Sequence, residues 1–186
     1  MRSPKLIWYM KKLAFFSFIL LFAGFQAAGQ GKLEVGKKAP EWSLPDADKN
    51  LFTMDSWKGK VLQINYVDPD ESDMNDPFND AIDQATDVDK RINKDYFKGF
   101  GIVDCKSTWK PNRLIRWIAG NKAKKYDTTI LFDYDGLLHD IWGMPEDSYT
   151  VVIVDKNRIV RAIYRGIIPE SEHEKIIQLI IRLTQE

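Results

Sequence analysis

Seven residues, Val61–Val67 (VLQINYV), constrain this chain most. They carry no charge, and a strand with this pattern is covered on both faces. The chain then changes character at once. Asp68–Asp76 (DPDESDMND) is an acidic loop, and from Asp68 to Asp89 there are nine acids and no base. Asp76-Pro77 reads as a helix start, with Asp at the N-cap and Pro at the first helical position.

The remaining elements follow from periodicity and punctuation. Ala39–Lys60 contains two short apolar runs split by Pro45-Asp46 and Lys49-Asn50, which predicts a small hairpin. Trp42, Leu44, Leu51 and Phe52 are expected to pack it on the core. Phe78, Ile82, Ala85, Val88, Ile92 and Tyr96 follow helical spacing to about residues 94–97. Gly99-Phe100-Gly101 is expected to break that helix, and Ile102-Val103 to form a short strand ending at Asp104-Cys105. Pro111 opens a second helix with Leu114, Ile115 and Ile118 inward. Thr129–Asp133 reads as a strand that drops out of the count if it is short, and Leu137–Trp142 as a short helix. Residues 150–155 and 158–165 form a hairpin joined by Lys156-Asn157. Pro169 and the capping pair Ser171/Glu174 begin a last helix with Ile176, Ile177, Ile180 and Leu183 buried. Helices alternating with strands, then a hairpin and a final helix, predict an α/β sandwich on a mixed sheet.

The first 29 residues read as a signal peptide. Arg2, Lys5, Lys11 and Lys12 precede the apolar run Leu13–Phe25, and Ala27-Ala28-Gly29 offers a cut after Gly29. The run is shorter than the ~20 residues of a spanning helix, so no stable membrane span is expected after cleavage. Residues 30–38 are expected as a flexible lead-in and 39–186 as the domain. Of 27 basic residues, 23 remain after residue 29, against 27 acids. That balance speaks against a general nucleic-acid binder. Cys105 is the only cysteine, so no intrachain disulfide forms.

VGKKAPEWSLPD (Val35–Asp46), Trp57-Lys58-Gly59-Lys60-Val61-Leu62 and VVIVDKNRIV (Val151–Val160) resemble, in order and spacing, the exported TlpA and peroxiredoxin-like branch of the thioredoxin-like superfamily. DSYTVVIVDKNRIVRAIYRGIIPESE and the spacing of GIVDC to TTILFDYDG are similar to the YtfJ-like group of periplasmic proteins. The resemblance runs from Val35 to the C-terminus. It implies a thioredoxin-like three-layer sandwich with a central mixed sheet and an N-terminal β-hairpin extension, in a periplasmic or secreted protein. It also exposes departures. Glu71 and Met74 stand where that superfamily carries its CxxC cysteines, and Ser148 or Tyr149 stands in the place of its cis-proline.

Several residues are candidates for chemistry. The edge formed by Asp68, Asp70, Glu71, Asp73, Asp76, Cys105 and Asp147–Tyr149 is a candidate binding surface. The same loop has alternating oxygen ligands, which makes Asp68, Asp70 and Asp76 candidate cation ligands. It lacks the glycine of a calcium loop, and Asn79 stands where a bidentate Glu would be. Cys105 ends a strand, with Lys106 and Lys110 close enough in sequence to stabilise a thiolate. Carboxylates around the helix start would instead raise a thiol's pKa. Lys106–Lys125 carries seven basic residues and no acid. It reads as a solvated helix face or as a docking surface for an acidic partner or an anionic membrane. Trp109 and Trp117, which lie within it, are expected to cover core. His173 is expected in solvent, and His139 in a packed or surface role.

Three functions follow. The first is a non-catalytic binding or accessory module of the envelope, holding an envelope protein or a small molecule. The second is a one-cysteine thiol-disulfide oxidoreductase or peroxidase acting through Cys105. The third is a cation-binding protein. No motif in the chain asks for a cofactor.

Overall fold

The computed structural model, which describes residues 32–125 and 127–186, puts Val61–Val67 at the centre of a five-stranded sheet. The expected signal segment lies outside the described residues. In chain order the elements are β1 (Leu44–Pro45), β2 (Leu51–Phe52), β3 (Val61–Val67), α1 (Asp76–Asp83), β4 (Phe97–Asp104), α2 (Asn112–Lys125), β5 (Ile130–Asp133), α3 (Leu137–Trp142), β6 (Tyr149–Val154), β7 (Val160–Arg165) and α4 (Glu170–Gln185). The sheet order is β5-β4-β3-β6-β7. β4 runs parallel to β3 and β5 parallel to β4, while β6 and β7 are antiparallel to their neighbours.

The sheet is covered on both faces, as its central strand requires. Leu62, Ile64 and Tyr66 share one core with Trp42, Leu44, Phe100, Leu138 and Trp142. Val61 shares the other with Phe78, Val151, Ile153, Ile176, Ile177 and Ile180. A smaller cluster of Cys105, Ile115 and Phe132 lies under α2. β1 and β2 form the expected hairpin, which reaches the β5 edge through a bridge between Asp46 and Leu131. Leu51 faces solvent, 70% exposed, and does not join the core.

The helix expected to run to residues 94–97 ends at Asp83. A wide turn over Gln84–Val88 follows, in which Thr86 Oγ1 donates to the carbonyls of Ile82 and Asp83. Side-chain bonding to the preceding turn competes with helix continuation. The amides of Arg91 and Ile92 both return to Ala85 O, so Ile92 is buried by a loop and not by a helix face. Val88 and Tyr96 are exposed. The strand expected only at Ile102-Val103 is eight residues long, because Gly99 and Gly101 pair with Gln63 and Asn65 of β3. α1 is also entered differently. Asn75 precedes it, and Asp76 lies in its first turn. Buried Asn75 ties this point to the β7–α4 connection, donating to Gly166 O at 3.0 Å and accepting from Ile168 N at 2.8 Å.

Three further expectations are corrected. Ser171 and Glu174 do not cap α4, which follows Pro169; Glu174 pairs with Arg91. His173 is buried, with Nε2 3.2 Å from Ile168 O and its ring against Phe78. Residues 32–38 are tied down: Leu33 N donates to Trp142 O, Gly36 N to Val160 O, and Lys38 bridges Ile159.

Candidate functional site

In parallel α/β sheets the strand C-termini face the crevice where ligands bind. Here β3, β4 and β5 all deliver acids to that edge. Asp68 follows β3, and Asp104 and Asp133 are the last residues of β4 and β5, in register with each other. All three are buried.

Asp104 is the best-connected of them. Its carboxylate accepts from Lys106 N at 3.0 Å, Ser107 N at 3.2 Å and Ser107 Oγ at 2.7 Å, and His139 Nε2 lies 2.7 Å from Oδ2. Asp133 accepts from the amides of Leu137 and Leu138 and from Tyr66 Oη at 3.3 Å. Its two amide bonds hold the start of α3, whose ends are turned by Gly136 and Gly143 at φ 71° and 64°. Only glycine adopts that backbone without a steric cost. α3 in turn carries His139 over Tyr66, ring centroids 5.8 Å apart. Burial and the two carboxylates push the Tyr66 phenol well above its ordinary pKa.

Asp68 is connected less completely. Its backbone N–H donates to Ser148 O at 3.0 Å, joining the acidic loop to the segment before β6. Oδ1 accepts from Asp70 N at 2.7 Å, while Oδ2 is buried with no hydrogen-bond partner among the described residues. Burial raises its carboxyl pKa. The Asp70 N–H lowers it, and the charges of Asp70, Asp104 and Asp147 raise it further. A half-satisfied buried carboxylate is a costly group.

The other expected edge residues are placed unevenly. Asp70 pairs with Lys110 and lies 3.4 Å from Thr108 Oγ1. Asp73 and Asp76 are exposed, Glu71 is half-buried, and Met74 packs toward the core beside α1. Tyr149 reaches this edge in the backbone only. It pairs with Val67, but its side chain is buried, and Asn79 Nδ2 donates to its hydroxyl at 3.0 Å. Asp147 stands just before β6 at φ 48°. Asp68, Asp70 and Asp76 do not converge: no group of three His, Cys, Asp or Glu suited to a metal ion occurs among the described residues.

Cys105 is buried in the cluster under α2, 6% exposed. Its Sγ donates weakly to Val103 O at 3.7 Å, and its amide bonds Asp133 O. Burial, then Asp104 and Asp133, push its thiol up to about 12. Lys110, expected to help form a thiolate, is paired with Asp70 instead. A reactive cysteine needs the opposite environment. The His139–Asp104 pair and Tyr66 were not singled out from sequence. The available signal was that two acids, Asp104 and Asp133, each close an apolar strand.

This architecture is shared with solved thioredoxin-like structures. They include the exposed lipoprotein thioredoxin of Streptococcus pneumoniae, at 16% identity and TM-score 0.58, covering 77% of this chain and 100% of that one. The thioredoxin domain of a thiol-disulfide oxidoreductase from Bacteroides vulgatus matches at 12% identity and TM-score 0.58, covering 80% and 99%. A thioredoxin-family thiol:disulfide interchange protein from Chlorobium tepidum matches at 15% and 0.54, covering 80% and 98%. At these identities the likeness is one of fold. No curated protein matches the chain. Residues 35–183 match the model of a family described as a bacterial protein of unknown function, YtfJ_HI0045.

Proposed function

We propose that this chain, which belongs to the YtfJ_HI0045 family of bacterial proteins, is a non-redox binding module of the cell envelope that holds a cationic partner segment at the acidic edge of its sheet. One observation carries the reading. Glu71 and Met74 stand where the resemblance puts the reactive thiols, and close by in sequence Asp68 keeps a buried carboxylate oxygen without a partner among the described residues. An unpaired buried acceptor is relieved by an incoming donor, and a lysine or guanidinium group supplies one with charge. Within the chain, Asp70 pairs with a lysine, Lys110, which supports this reading. The envelope address rests on the charged and apolar pattern of residues 2–29 and on the likeness to an exposed lipoprotein.

The buried Cys105 supports binding over thiol chemistry. The test has two arms. A photo-crosslinking residue at Glu71 should give a discrete adduct in cells, and adding Asp73→Lys should abolish it. The same residue at Asn157, in the β6–β7 turn, should give none. Absence of any adduct specific to position 71 sinks the binding reading. In the second arm the native protein should react slowly with an aromatic disulfide at neutral pH and fast once unfolded. Rapid reaction of the native thiol would return the function to Cys105.

A further inference from the structure

The helix expected to turn Leu114 and Ile118 inward does the reverse. α2 rests on the fold through small residues and Ile115. Ile115 and Gly120 are buried, and Ala119 and Ala123 are half-buried. The approach is so close that a Cβ at Gly120 would lie 3.0 Å from Ala47 Cβ. The large apolar side chains are left outside. Leu114 is 44%, Trp117 66% and Ile118 50% exposed, and Trp109, just ahead of the helix, is 87% exposed. Positions i, i+3 and i+4 share one helix face, so Leu114, Trp117 and Ile118 form one outward ridge.

That ridge lies between cations. Arg113 and Lys124 lie along one side of it and Lys122 along the other. None of the three pairs with a carboxylate among the described residues, and no acid occurs between Asp104 and Asp127. Lys110 is neutralised by Asp70, and Arg116 turns toward Tyr134. An apolar ridge that carries Trp117, with exposed Trp109 just ahead of the helix and unpaired cations at the flanks, matches the layers of an anionic bilayer surface, with acyl boundary inside and phosphate outside. A protein partner would have to supply both an apolar groove and an acidic rim, which a lipid surface supplies without design.

We infer that α2 is a peripheral docking helix for anionic lipid, with Trp109, Leu114, Trp117 and Ile118 entering the interface and Arg113, Lys122 and Lys124 meeting phosphates. This surface is distinct from the acidic edge and works without it. The full chain is mixed with vesicles of phosphatidylglycerol and phosphatidylcholine in equal parts, or of phosphatidylcholine alone. Sedimentation and quenching of tryptophan by brominated lipid are then read. The apolar run Leu13–Phe25 is the same in every variant, so differences between variants report on α2. Quenching should be strong on the anionic vesicles and fall in about 1 M salt, where the screening length is about 3 Å. Arg113→Gln and Lys124→Gln should each weaken the salt-sensitive binding about fivefold. Leu114→Ser with Trp117→Ser should remove most of the quenching while leaving the melting temperature unchanged. Asn157→Gln, a charge-neutral change in the exposed β6–β7 turn, should change neither readout. Quenching that is equal on both vesicle types, or unaltered by these substitutions, overturns the inference. So does self-association in the absence of lipid that Leu114→Ser with Trp117→Ser abolishes.

Discussion

His139 Nε2 lies 2.7 Å from Asp104 Oδ2 across the C-terminal edge of the sheet, joining α3 to the end of β4. The same carboxylate organises the turn after β4 through Lys106 N and both donors of Ser107. Asp104→Ala therefore removes one acceptor shared by four donors. A cost of about 3 kcal/mol is expected from leaving such groups unpaired, measured by urea unfolding. Asp104→Asn isolates the charge. The Cys105 thiol is pushed up to about 12 first by burial and then by Asp104 and Asp133. With the Asp104 charge gone, the midpoint of its alkylation against pH should fall, yet stay above the ordinary thiol value because burial persists. A midpoint unmoved by Asp104→Asn would leave the upward shift to burial and Asp133.

Asp68 makes a testable prediction about pH. Its folded pKa is raised above the unfolded value, so the folded state holds its proton more tightly. Stability from this group is therefore fully present below the ordinary carboxyl pKa and is lost as pH rises through the folded value. Asp68→Asn removes that loss while keeping an acceptor for Asp70 N. The variant should melt higher than the parent at pH 7, and the difference should vanish below about pH 4. Asp83 shifts in the same direction but is present in both proteins, so the difference isolates Asp68. A parent that is the more stable at pH 7 would show that an unpaired Oδ2 does not describe the site.

The central strand and its double coverage were legible because seven uncharged residues leave few alternatives. The end of α1 was not. Val88, Ile92 and Tyr96 keep helical spacing, yet Thr86 bonds the preceding turn and the chain reverses over Lys90 at φ 56°. A side-chain bond to two carbonyls leaves no periodic trace. α2 misled for a related reason. Ile115 is buried as expected, but Leu114 and Ile118 face outward, because the close approach at Gly120 admits only small side chains there. The acidic loop was legible as charge. The His139–Asp104 contact depends on the sheet register that sets Asp104 beside Asp133, and no local pattern encodes it.

Arg158 fastens the turn before β3 to the β6–β7 hairpin. Nη1 donates to Lys60 O at 2.9 Å, and Nη2 donates to Met54 O at 2.7 Å and Trp57 O at 2.9 Å. Charged donors to buried carbonyls contribute about 1.5–3 kcal/mol each, and their losses are not additive. Arg158→Ala should cost about 4 kcal/mol in urea unfolding. The residue also sits at φ 66°, where a Cβ is strained. Arg158→Gly should therefore be about 1 kcal/mol more stable than Arg158→Ala. Equal stabilities would show that the turn relaxes once the guanidinium is gone.

Asn75 holds both partners of the β7–α4 connection with one side-chain amide, and it is 1% exposed. Asn75→Ala leaves Gly166 O and Ile168 N unpaired, at a cost of about 3 kcal/mol. Asn75→Asp keeps an acceptor for Ile168 N but sets a carboxylate against Gly166 O. It should be no better than alanine at pH 7 and should recover partly in acid, as the protonated group regains a donor. Urea midpoints at the two pH values separate the cases. Identical behaviour of the two variants in acid would show that neither of the two bonds contributes.

A thiol pair can be introduced to ask whether the edge supports redox work. In Glu71→Cys with Met74→Cys, position 71 ends a short 3₁₀ turn and lies before the start of α1 at Asp76. A new thiol there gains little from the α1 dipole, which acts over the first turn. It would instead stand among Asp68, Asp70 and Asp73, whose charges oppose a thiolate. The expected pKa at position 71 is at or above the free-thiol value of about 8.5, read from the pH dependence of alkylation. Insulin reduction by the double variant should stay at the level of the parent. Adding Asp70→Asn and Asp73→Asn should lower the pKa of the new thiol. A double variant whose thiol already titrates well below 8, or which reduces insulin efficiently, would show that the carboxylates do not set the chemistry of this edge.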